Sequence, residues 1–63
     1  MKFRLGDRVR VTRAELEEYI GLEGLVVFAR PAKDSATFNA YEVRTDDGQQ
    51  LEFIEYQLER VGS

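Results

Sequence analysis

The 63-residue chain contains no histidine and no cysteine, so imidazole general bases, thiol nucleophiles and the commonest zinc ligands are missing from its chemistry. Four groups of residues remain that could act on a partner. Arg8 and Arg10 stand two apart in RVRV, behind Lys2 and Arg4. On a strand, that spacing puts the arginines on one side, a basic patch suited to a phosphate backbone or an acidic protein surface. Tyr19, Phe38 and Tyr56 could line a groove for a peptide or protein segment, tyrosine adding a polar handle to its apolar area. Glu15, Glu17 and Glu18 crowd into AELEEY and could face a basic partner. Asp46-Asp47-Gly48 is better explained by turn chemistry than by acid–base work or calcium binding. Each group also has an ordinary reading: a charged outer strand face, aromatics capping a small core, a solvated helix face.

Composition narrows these choices. The net charge is −3 at pH 7 and the pI about 4.8, a global field that disfavours nonspecific nucleic-acid binding. The charge is uneven. Residues 1–13 hold five basic side chains against Asp7 alone, while the rest of the chain holds four basic and eleven acidic ones. A chain this short is one domain, residues 1–63, and must be stabilised by packing of its seven aromatics with Leu, Val and Ile. No apolar run reaches the roughly 20 residues of a membrane helix. No signal-peptide pattern opens the chain, and the expected location is cytoplasmic. No glycine-rich phosphate loop is present and a barrel this small leaves no room for a large pocket, so the chain reads as non-enzymatic, with no cofactor and no metal.

The elements that must position these residues can be read in outline. KFRLGDRVRVT, residues 2–12, alternates: Val9 and Val11 point one way, Arg8 and Arg10 the other, and Phe3 and Leu5 share a side ahead of the Gly6-Asp7 break. The outward arginines have Glu52 and Glu59 as candidate cross-strand partners. RAELEEYI, residues 13–20, predicts a short helix. Thr12 and Glu15 have capping-box spacing, Leu16, Tyr19 and Ile20 fall on one face, and Gly21 stops it. Residues 22–30 form a second strand, where Gly24 predicts a bulge or a backbone conformation closed to β-carbons, and LVVF hides the inward set. Residues 31–37 are a loop.

Residues 38–45 form the third strand, with Tyr41 and Val43 inward. Asp46-Asp47-Gly48 is a hairpin signal. Residues 49–54 form the fourth strand, with Leu51 and Phe53 inward. Glu55–Leu58 suits a single 3₁₀ turn, and Glu59–Val61 a short fifth strand. Five short strands in this order predict a small, strongly bent antiparallel barrel, whose closure removes exposed edges.

LGDRVRVT…GLEGLVV resembles the KOW motif, in which Gly-Asp and an alternating valine strand precede a glycine and a second valine strand. YEVRTDDGQQLEFIEYQLERV resembles the second half of SH3-like barrels. The likeness runs over nearly the whole chain and implies an all-β, five-stranded SH3-like barrel with a helical insertion between strands one and two and a 3₁₀ turn before the last strand. It implies a function in binding rather than catalysis. The family includes KOW-like factors associated with nucleic acid, ribosomes or RNA polymerase, and electron-transfer docking subunits such as PsaE, with which this chain shares strand order. The acidic pI and the lengthened, glutamate-bearing first connection put protein docking first: a small regulatory or adaptor subunit of a larger complex, with Tyr19, Phe38, Tyr56, Glu15 and Glu18 as contact residues. Lys2, Arg4, Arg8 and Arg10 form the alternative surface.

Overall fold

A computed structural model describes residues 1–62. It is all-β: β1 (Arg8–Val11), β2 (Glu23–Arg30), β3 (Ala40–Thr45), β4 (Gln50–Ile54) and β5 (Leu58–Arg60), with 3₁₀ turns at Glu17–Tyr19 and Glu55–Gln57. The strands form one antiparallel sheet in the order β4-β3-β2-β1-β5.

Alternation builds each strand. In β1, Val9 and Val11 are buried and Arg8 and Arg10 face outward. In β3, Tyr41, Val43 and Thr45 point inward; in β4, Phe53 does, with Leu51 half-buried beside it. Together with Phe3, Val26 and Leu58 these apolar side chains make the core. The β3–β4 hairpin closes through Asp46-Asp47-Gly48, with Gly48 at φ 93° and its N–H donating to the Thr45 carbonyl at 3.0 Å. That positive φ is why glycine stands there. Thr45 is buried, but its hydroxyl donates to the Asp47 carboxylate and accepts the Gln49 N–H at 3.0 Å, so no polar atom is stranded.

β2 explains why LVVF could not be parsed. Its pairing with β3 slips between Val26 and Phe28, so Val26 opposes Val43, Phe28 opposes Glu42 and Ala29 opposes Tyr41. The extra residue, Val27, resets the two-residue phase: Phe28 turns out and Ala29 turns in. The bulge is therefore at Val27 and not at Gly24. Gly24 is flanked by Val9 of β1 and Thr45 of β3, and a β-carbon on it would lie 2.1 Å from the Arg44 carbonyl oxygen. Close backbone approach accounts for this glycine, with no special dihedral involved.

Further expectations are corrected. No α-helix forms over residues 13–20. The segment holds only the 3₁₀ turn Glu17–Tyr19, entered at Leu16 without a side-chain cap. Its flanks are committed elsewhere: Val11 and Gly21–Leu22 exchange hydrogen bonds of 2.8 Å, and the Thr12 and Arg13 N–H groups both donate to the Gln57 carbonyl. The Thr12 hydroxyl, the expected cap, also donates to Gln57. Eight residues tied down at both ends cannot nucleate a helix that would be marginal even when free, and Leu16 and Ile20 stay exposed.

The sheet is also not closed, since β4 and β5 end it without pairing. The 3₁₀ turn Glu55–Gln57 joins them directly, and the amino-terminal segment lies against that end. The Lys2 N–H donates to the Glu55 carboxylate, the Phe3 N–H to the Tyr41 hydroxyl, and Arg60 to the Lys2 carbonyl. Phe3 is thereby buried edge-to-face against Tyr41, ring centroids 5.2 Å apart. Residues 2–7 accordingly do not extend β1, and Leu5 is exposed. Finally, β3 begins at Ala40, which leaves Phe38 in the preceding loop, and β5 begins one residue early, at Leu58.

Candidate functional site

The end of β1 and the second 3₁₀ turn are held together through Gln57. Its carbonyl accepts from Thr12 and Arg13, while its side-chain oxygen accepts the Ile54 N–H at 2.9 Å. This clamp makes a shallow, open groove of about 440 Å³, lined by Arg13, Ala14, Glu15, Ile54, Tyr56 and Gln57. A shelf of about 230 Å³ shares Ala14, Glu15 and Gln57 and continues over Leu16, Tyr19, Glu52 and Phe53.

One of the three aromatics singled out in the sequence, Tyr56, lines this groove, and a second, Phe38, packs against Tyr56. Phe38 and Tyr56 stack with centroids 6.0 Å apart and planes inclined by 19°. They stay 64% and 56% exposed, the opposite of what a core cap would show. The Arg13 guanidinium lies 5.9 Å from the Tyr56 centroid, within cation–π range. Tyr19 goes elsewhere: it is half-buried and packs edge-to-face on Phe53 at 6.2 Å, as an outlying part of the core that forms one wall of the shelf. Glu15 lines both depressions, whereas Glu17 and Glu18 are exposed and line neither. Arg13, Gln57 and Ile54 were not singled out from sequence. Their part in the groove arises from contact between segments more than forty residues apart, for which the sequence holds no local signal.

The basic stripe is neutralised within the sheet. Arg8 pairs with Asp46 and Glu23, and Arg10 with Glu23 and Glu59 at 2.9 Å. Hydrogen bonds to these carboxylates raise both guanidinium pKa values, Arg8 chiefly through Asp46 and Arg10 chiefly through Glu23. Glu59 is one of the two expected partners; Glu52 instead takes Arg30 at 3.0 Å. Lys2 and Arg4 sit apart from the stripe, around a polar depression of about 520 Å³ shared with Met1, Asp7 and Arg60. There Asp7 accepts the Arg4 N–H and the Arg60 guanidinium, both at 3.0 Å, and its carboxyl is held below the usual range, foremost by the Arg4 N–H.

Among the described residues no cluster of three or more acidic side chains is placed to hold a metal ion, and no helix is long and apolar enough to cross a membrane. What the groove offers chemically is contact: the Tyr56 ring backed by Phe38, a short apolar floor of Ala14 and Ile54, and the Glu15 carboxylate. Comparison of the chain with protein-family models, with curated proteins and with solved structures returns no match.

Proposed function

We propose that this chain is an SH3-like barrel with its sheet left open between β4 and β5, acting as a non-enzymatic protein-binding module, a small regulatory or adaptor subunit that docks on a larger protein through the groove between the first connection and the second 3₁₀ turn. The observation that carries this reading is the Phe38–Tyr56 stack. Two large rings lie against each other yet remain more than half exposed, and one of them, Tyr56, lines the groove. Aromatic side chains set in this way are the usual anchors of protein interfaces, because they bury much area at low entropic cost. The barrel assignment is supported by the strand order, the long first connection and the 3₁₀ turn before the last strand.

The KOW-like alternative, binding to nucleic acid, needs free cations on β1. Arg8 and Arg10 are instead shared among Glu23, Asp46 and Glu59, which favours the protein partner.

The test is a pull-down from the native source with the unaltered chain beside Phe38→Ala and Tyr56→Ala. The expected result is a protein captured by the unaltered chain and lost by both variants, with their thermal midpoints unchanged. Capture that survives both substitutions excludes this surface.

A further inference from the structure

We propose, building on the docking reading above, that the occupant of the shelf is an extended cationic peptide segment of the partner, added as a strand along the free edge of β4 and held by the carboxylates of the first connection. Two independent observations carry this.

The first is the open edge. Thr45 N–H donates to the Gln49 carbonyl and Glu55 N–H to the Asn39 carbonyl, both at 2.8 Å. Hydrogen-bonded and non-hydrogen-bonded pairs alternate along an antiparallel ladder. The pairs between these two, Val43 with Leu51 and Tyr41 with Phe53, are therefore the bonded ones, and the pair Glu42–Glu52 is not. The N–H and C=O of Glu52 point away from β3 and meet no partner among the described residues. Glu52 lines the shelf, so a chain lying there is within reach of both groups. Strand addition of this kind draws affinity from the main chain and specificity from alternate side chains.

The second is the acidic charge carried by the first connection at Glu15, Glu17 and Glu18. Arg8, Arg10, Arg30 and Arg60 are all matched to carboxylates, whereas Glu15, which lines the shelf, and Glu17 and Glu18, exposed in the chain between the shelf residues Leu16 and Tyr19, form no ion pair among the described residues. A segment bearing lysine or arginine complements that rim, while Ala14, Leu16 and Tyr19 accept an intervening apolar side chain.

The experiment is selection from an immobilised library of random short peptides against the intact protein, followed by measurements on the strongest binder. The expected outcome is enrichment of Lys and Arg alternating with apolar residues. Affinity should fall about tenfold in the triple variant Glu15→Lys, Glu17→Lys, Glu18→Lys, and fall with added salt. The Glu52 amide should gain protection from hydrogen exchange in the complex. A Glu52→Pro variant removes the outward N–H without breaking the β3–β4 ladder and should abolish binding; the exchange measurement decides the matter if that variant does not fold. Selected peptides without basic residues, affinity indifferent to the charge reversal, or a Glu52 amide that stays unprotected each overturn the proposal, as does a library that yields no binder. If such peptides still depend on Tyr56, this inference alone falls and the docking reading stands. Failure of both peptide selection and partner capture removes the two together.

Discussion

The hydroxyl of Tyr41, in the centre of the core, donates to the carboxylate of Glu55 at the start of the second 3₁₀ turn. The same carboxylate accepts the Lys2 N–H at 3.1 Å and the Asn39 amide at 3.3 Å. One side chain therefore ties together the amino-terminal segment, the entry to β3, the core tyrosine and the turn that carries Tyr56.

This node makes folding pH-dependent. Burial pushes the Glu55 carboxyl up, but the Tyr41, Lys2 and Asn39 donors outweigh it and hold the group below its ordinary value. The unfolded chain then binds more protons in the acid range, so stability is full above the unfolded carboxylate value of about 4.3 and is lost as pH falls through the native one. Urea unfolding at a series of pH values should show that loss, and Glu55→Gln should flatten it. Tyr41→Phe should cost about 2 kcal/mol at neutral pH, the range for a lost hydrogen bond to a charged group. An unchanged acid limb in Glu55→Gln would show that other carboxylates, such as Asp7 and Asp47, set it.

Gly24→Ala should lower stability by about 3 kcal/mol, because the new methyl meets the β3 backbone and one strand must move. In a domain of this size that corresponds to a fall in thermal midpoint of roughly 10–20 °C. Calorimetry decides it; a shift of only a degree or two would mean that β2 and β3 separate easily.

Tyr19 and Tyr56 should behave differently despite their similar appearance in the sequence. Tyr19→Ala removes packing from Phe53 and should cost about 2 kcal/mol. Tyr56→Ala removes an exposed ring and should stay within about 0.5 kcal/mol, while removing partner capture. Chemical denaturation of the two variants side by side checks both.

Arg8 and Arg10 should confer no nucleic-acid affinity. A gel shift with duplex DNA and with single-stranded RNA at low salt is expected to show free probe only, because each guanidinium is already matched to carboxylates. Retardation that disappears in Arg8→Ala/Arg10→Ala would reverse the order of the two functional readings.

Much of the fold was legible because strand alternation is a local code. Val9, Val11, Tyr41, Val43 and Phe53 are buried where period two puts them, and the Asp46-Asp47-Gly48 turn has the one residue that tolerates its backbone. The helix expected over residues 13–20 failed for a non-local reason. Its capping threonine and the following N–H are taken by Gln57, a residue that sequence spacing could not bring into the argument.

The candidate site divides along the same line. By itself, the sequence determined the β-strand pattern, the tight hairpin, the single turn before the last strand and the absence of imidazole and thiol chemistry, because these depend on residue type and on neighbours a few positions away. Only the tertiary structure decided that Phe38 meets Tyr56, that Tyr19 joins the core, that β4 ends the sheet, and that the arginine stripe is neutralised. Exposure and charge pairing are properties of surfaces brought together across the sheet, and a slip of one residue at Val27 is enough to reverse which side chains those surfaces present.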